Sequence, residues 1–279
     1  MTRTRLTVAL LLAAAALATP TAASAACTSG SPLPADKHAA NVTCDGVHPG
    51  ITLIVPSMKY GDYECGASFA FQDQRGNRYL TIPGSCYLDY DCLEEAVEQL
   101  LPPPLNEIVG QIPVCLLPSD SELEPYYKNG PVVKDTAGRR VGRIAYAVNK
   151  DGIDFALVRV DRNVRLDPAL PFYGGPTRLG TAGVLEETYV YSDASFPIAP
   201  NARTGLLSGD AEGARVATEG LLSRTTGASV MRPDGAAIGF FNGYIEITGT
   251  FPTQTLGPGL QRAQRRGGLR LTLMTAPLK

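Results

Sequence analysis

His38 and His48 are the only two histidines in the chain, so the supply of side chains that ordinarily exchange a proton near neutral pH is small. Any hydroxyl nucleophile would have to use one of them, a carboxylate or a lysine amine as its base. The other reactive side chains are the thiols of Cys27, Cys44, Cys65, Cys86, Cys92 and Cys115. His38, Cys44 and His48 lie close together, but their spacing matches no zinc-ligand pattern. Asp89, Asp91, Glu94 and Glu95 form an acidic cluster, which suits a Ca²⁺ site and equally suits the positive end of a helix. There is no Gly-rich phosphate loop and no paired-carboxylate pattern, so the sequence leads us to expect neither a cofactor nor a metal.

The first 25 residues have the form of an export signal. Arg3 and Arg5 carry charge, an apolar run of roughly 13 residues follows from Leu6, and Ala23-Ser24-Ala25 makes a small-residue cleavage site. That run falls short of the ~20 residues needed to span a bilayer, and the expectation is a secreted protein with no membrane span. All six cysteines follow the signal, as expected of disulfides formed in an oxidising compartment. Pairing sequence neighbours (Cys27 with Cys44, Cys65 with Cys86, Cys92 with Cys115) closes three short loops. Without the signal's arginines, 23 basic side chains face 27 acidic ones, a balance that offers nothing to a polyanion and argues against nucleic-acid binding.

These groups must be positioned by strands. With 29 glycines, 22 prolines and short β-branched runs bounded by turn residues, the chain reads as all-β. Strands are expected at 51–55, 67–72, 79–82, 141–148, 155–160, 189–192, 214–217, 236–241 and 244–248, with turns at Arg75-Gly76-Asn77 and Pro233-Asp234-Gly235. Asp167-Pro168-Ala169-Leu170-Pro171 reads as a linker between two halves, each large enough for a small core. A short helix between Cys92 and Cys115 places Leu93, Val97, Leu100 and Leu101 on one face and stops at Pro102. A second helix runs from about Gly259 to Arg266, with Arg262, Arg265, Arg266 and Arg270 as a polar face.

Three blocks, in order, resemble the trypsin-like serine protease family. Cys65-Gly66-Ala67-Ser68-Phe69-Ala70-Phe71 followed by Thr81-Ile82-Pro83-Gly84-Ser85-Cys86 is similar to the stretch that leads into the family's T-A-G-H-C motif. Asp154-Phe155-Ala156-Leu157 resembles its D-[FI]-A-L strand. Arg224-Thr225-Thr226-Gly227-Ala228-Ser229-Val230 stands where the family has G-D-S-G-x-P-V. The resemblance covers the chain from about Cys65 to Lys279. It implies two antiparallel six-stranded β-barrels, with a short inserted helix, a C-terminal helix and a site in the cleft between the barrels. The expected organisation is a signal at 1–25, an N-terminal segment plus first barrel at 26–166, and the second barrel with its C-terminal helix and strand at 167–279.

The family's flanking residues match better than its catalytic ones. The resemblance puts Ser85 at the position of the general base, Asp154 at the aspartate that orients it, Thr226 at the nucleophile and Arg224 at an oxyanion-hole glycine. Cys65 and Cys86 fall where the family has a disulfide beside the base. A hydroxyl at position 85 cannot accept and return a proton near neutral pH, the Thr226 methyl crowds attack, and Arg224 lacks glycine's backbone freedom. The expectation is a proteolytically silent homologue retained as a binding module for a peptide or protein. The alternative is a working serine-type endopeptidase or hydrolase with a non-standard nucleophile, Thr226 or, in a rival alignment, Ser229. Neither the partner nor the oligomeric state is legible in the sequence.

Overall fold

The computed structural model describes residues 27–32, 40–58, 61–88, 90–91, 117–118, 121–122, 129–193, 200–209, 213–218, 226–242 and 250–279. Its strands are, in chain order, β1 (Cys27–Pro32), β2 (Ala40–Cys44), β3 (Thr52–Ser57), β4 (Gly61–Gly66), β5 (Ala70–Asp73), β6 (Arg78–Ile82), β7 (Tyr90–Asp91), β8 (Leu117–Pro118), β9 (Ser121–Glu122) and β10 (Val132–Asp135). There follow β11 (Arg140–Lys150), β12 (Ile153–Val160), β13 (Arg178–Leu179), β14 (Glu186–Tyr191), β15 (Ala202–Ser208), β16 (Arg215–Ala217), β17 (Ser229–Met231), β18 (Ala236–Phe241) and β19 (Thr250–Thr255). Helix α1 (Leu256–Gly267) and β20 (Leu271–Leu273) end the chain. The segment expected to form the inserted helix, the strand expected at 244–248, His38, Cys92, Cys115 and Arg224 lie outside the described residues, and of the acidic cluster only Asp91 is described.

The second unit is a closed barrel. Antiparallel pairing runs β15-β14-β17-β18-β19-β16, and β16 returns to β15, so six strands leave no open edge between them. Its interior holds Val190, Leu207, Val216, Val230, Ile238, Phe241 and Phe251. The first unit's strands run β20-β5-β6-β12-β11-β10-β3-β4, a half-barrel sheet whose end strand β4 leads into β5 through Ala67–Phe69, with Ala67 N–H on Ile51 O at 2.8 Å on the β3 side and Ser68 N–H on Thr81 O at 2.6 Å on the β6 side. Gly66, the last residue of β4, pairs with Thr52 of β3, and its N–H bonds to Thr226 O of the second unit at 2.8 Å. Leu53, Val55, Leu80, Ile82, Ile144 and Val158 fill the concave face.

A third core joins the units, with Phe69, Phe71, Tyr146 and Phe155 from one side packed with Tyr191, Met231 and Phe240 from the other. The expected linker is part of this core, because Leu170 within it is fully buried. Each unit also holds an end of the chain that begins or finishes beyond it. β2 bonds to β15 of the closed barrel through Ala40 and Ala202, and β20 pairs with β5 of the half-barrel from Leu271 to Leu273.

The expected C-terminal helix is α1, three residues longer at its start than the periodicity indicated. It buries Leu256, Gly259 and Ala263, and at Gly259 the Phe155 ring comes so close that a Cβ would lie 2.3 Å from it. Gly268 ends the helix in the left-handed conformation at φ 63°, which glycine adopts without strain. Disulfides join Cys27 to Cys44 and Cys65 to Cys86, two of the three pairs expected from spacing.

Candidate functional site

The β6 strand ends at Pro83 and turns through a single 3₁₀ turn, Gly84–Cys86. This turn lies directly on the β11–β12 hairpin: a Cβ at Gly84 would sit 2.1 Å from Val148 O, so only glycine lets the turn come so close. The consequence is that Ser85 meets the carboxylate of Asp154, the second residue of β12. Ser85 N–H donates to Asp154 Oδ1 at 2.6 Å and its hydroxyl donates to Oδ2 at 2.8 Å. Asp154 is 3% exposed, and its own N–H donates to Gln254 Oε1 at 3.0 Å. Gln254 comes from β19 of the other unit and uses its amide N–H₂ on Thr255 O at 3.2 Å. Asn149, the cross-strand partner of Asp154, is also buried, and its Nδ2 has no acceptor among the described residues.

Thr226 reaches the same junction from the closed barrel. The Cys65–Cys86 bridge links the residue after Ser85 to the residue before Gly66, whose N–H holds Thr226 O. Gly227 then approaches Gly66 so closely, at φ 91°, that a Cβ would lie 1.9 Å from Gly66 O. Both glycines are required for this backbone contact between the units. Thr226 itself is 3% exposed. Ser85, Asp154 and Thr226 thus converge on one junction, Ser85 and Asp154 by direct contact. Ser229 lies in the middle of the sheet, paired with Tyr191 on one side and Phe240 on the other, and its Oγ is enclosed without a hydrogen-bond partner among the described residues.

The described histidine is elsewhere. His48 is buried, its Nδ1 lies 2.9 Å from Pro49 O, and its Nε2 lies 3.4 Å from Asp193 Oδ2. The Tyr191 hydroxyl donates to Asp193 Oδ1 at 2.6 Å. Burial raises the Asp193 carboxyl above the ordinary carboxylate value, against the pull of His48 and the Tyr191 hydroxyl. Burial, then the Asp193 charge, pushes the Tyr191 phenol up in turn.

Beside the Asp154 cluster, a polar recess of about 200 Å³ opens between the units, lined by Gly152, Arg215, Asn242, Pro252, Thr253 and Gln254 among others. Gln254 is shared between the recess and the cluster, so an occupant would lie one side chain from Asp154. The volume suits a peptide side chain better than a drug-sized ligand.

Gln254 and Asp193 were missed by sequence reasoning. Gln254 is 100 residues from the aspartate it holds, inside a strand with no motif, and Asp193 is 145 residues from His48. An imidazole among so few histidines and a Tyr-x-Asp pair were the only available signals.

No family model matches the chain, and no curated protein does. Among solved structures, a glutamic acid-specific serine protease superposes with a TM-score of 0.49 at 13% identity, over 82% of this chain and 100% of that one. Nocardiopsis protease gives 0.46 at 14% identity, over 81% and 98%. The HtrA-type protease AlgW with a bound tripeptide gives 0.40 at 12% identity, over 80% and 62%. The fold is similar to that of trypsin-like serine proteases.

Proposed function

We propose that this chain is a secreted, proteolytically silent homologue of the trypsin-like serine proteases, which uses the junction between its two units to bind a peptide or protein segment. The observation that carries this reading is the pair of hydrogen bonds from Ser85 to Asp154. Where the resemblance expects an imidazole oriented by a carboxylate, a hydroxyl and a backbone N–H occupy that carboxylate. A serine hydroxyl is a poor base, so at this position the acyl-transfer cycle lacks an acceptor for the nucleophile's proton. His48 does not relieve this, since both its ring nitrogens face Pro49 O and Asp193. The recess beside Gln254 supplies a place for a ligand side chain.

The test is labelling of the oxidised, signal-free chain by a broad fluorophosphonate probe, beside an active trypsin-like control and the Thr226→Ala and Ser229→Ala variants. The expected result is no labelling of any form of this chain. Labelling that one of the two substitutions abolishes would overturn the silent reading, establish an activated nucleophile and name it.

A further inference from the structure

Arg203 lies inside the closed barrel. It is the second residue of β15 and pairs with Val190, a member of the barrel's interior cluster, so both side chains point inward. Only 3% of the residue is exposed, and neither Nε nor Nη1 has an acceptor among the described residues. Burial pulls the guanidinium down to about 10, opposed by Tyr173. Buried cations in native proteins are almost always paired, because an unpaired one forfeits its hydration without return.

A second orphan lies beside it. Thr188 pairs with Gly205 one rung further along the same two strands and the same face, which makes it the diagonal neighbour of Arg203. It is fully buried, and its Oγ1 also lacks a partner. A cation and a hydroxyl, both unsatisfied and both facing one interior, define a site that wants an anion able to accept several hydrogen bonds.

The register also places the pair near one end of the barrel. Ala202, Tyr191, Ser229 and Phe240 form a rung near this end of the barrel, the Asn201–Ser192 and Ala228–Phe241 backbone bonds lie one residue beyond it, and Arg203 is on the next rung inward. The Thr226–Gly227 turn borders the same end, with Gly227 N–H on Phe241 O at 2.8 Å. Arg203 is therefore two residues inside the barrel end that adjoins the Ser85–Asp154 junction.

We propose that Arg203, with Thr188, forms an anion-binding centre in this end of the closed barrel and that its ligand is a carboxylate. Nε and Nη1 lie on different edges of the guanidinium plane, and Nη2 completes a two-donor fork with either. A planar carboxylate matches such a fork with two parallel hydrogen bonds. A glutamate side chain of a peptide and a free small carboxylate are the two sources of this chemistry.

Thermal unfolding of the oxidised chain tests the proposal with N-acetylglutamate, with N-acetylglutamine as its neutral isostere and with sulfate, all at matched ionic strength. N-acetylglutamate is expected to raise Tm by roughly 5 °C when well above its Kd, with little response to the other two. A blocked pentapeptide with a central glutamate separates the sources, since a peptide ligand binds at least tenfold tighter than the free amino acid derivative. Arg203→Leu is expected to raise Tm by a few degrees without ligand, because it removes an uncompensated charge, and to abolish the carboxylate response. A lowered Tm in Arg203→Leu would show that the chain neutralises Arg203 itself, and would overturn the proposal. So would an equal response to sulfate or no response in the wild-type chain. The Arg203 Nε–H resonance, followed during titration of the wild-type protein, gives a readout that does not depend on the variant folding: it shifts with N-acetylglutamate if the site is real and stays still if it is not.

Discussion

Two aspartates, Asp154 and Asp193, each hold a cluster of hydrogen bonds, and their surroundings differ in kind. Asp154 is almost wholly enclosed and receives the N–H and hydroxyl of Ser85, donors that cannot titrate near neutrality. Asp193 is at the edge, with 29% of its side chain exposed, and faces an imidazole and a phenol. The histidine–carboxylate pair that acyl transfer would need thus occurs in this molecule, but at the wrong aspartate. It is also closed to catalysis. The Pro49 carbonyl can only accept, so His48 Nδ1 carries a proton. Nε2 then faces Asp193 either as a donor from the imidazolium or as an acceptor from a protonated carboxyl. In either form the pair shares one proton and ties the segment after β2 to the loop after β14. The lesson is that presence of the right side chains says little until their hydrogen-bond partners are known.

Substitution separates the two clusters most sharply at the aspartates. Asp154→Ala takes the buried acceptor away from both Ser85 donors and is expected to cost about 3 kcal/mol in denaturant unfolding, whereas Asp193→Ala, at a more exposed carboxylate, costs about 1 kcal/mol. An Asp193→Ala variant as damaging as Asp154→Ala would erase the distinction between an enclosed and an edge carboxylate. His48→Ala removes a buried ring and its contact with Pro49 O, with an expected loss of about 2 kcal/mol that leaves Asp154 untouched. Combining it with Asp154→Ala should be additive, because the clusters share no partner. The smallest effect is a slope. The folded chain holds the Asp193 proton more tightly than the unfolded chain does, since its carboxyl is raised. The resulting stability is complete below the ordinary carboxyl value of 3.8 and is lost as pH rises through the raised value. Asp193→Asn cannot titrate, so the wild-type advantage over it is expected to shrink as pH rises from 3.8; a constant difference would remove the coupling.

Strands with clean apolar alternation or long β-branched runs were legible in the sequence: 79–82, 141–148, 155–160 and 236–241 match β6, β11, β12 and β18 within a few residues. Those that carry function or edges were not. β15 contains Arg203 and Gly205 on its inward face, where the pattern calls for apolar residues, and so it reads as a loop. β19 carries Pro252, which demotes a strand in any sequence reading, although its N-terminal position spares the ladder. β17 is only three residues long, too short to show a period. At the site, motif order pointed to Ser85 and Asp154, and their contact followed. The contact between the units at Gly66 could not be read, because the Gly66–Thr226 bond spans 160 residues of sequence, and pairing at that distance leaves no local trace.

The exchange of chain ends between the units bears on the order of assembly. β5 is an edge of the half-barrel until β20, close to 200 residues later, lies against it. During synthesis the half-barrel therefore leaves the ribosome with one flank unprotected, and that flank stays so until the closed barrel and α1 have been made. Contacts of such sequence separation are slow to form, and an unpaired strand edge invites association with other chains in the meantime. β20, a strand of three residues that carries no motif, thus governs how long the nascent protein remains sticky.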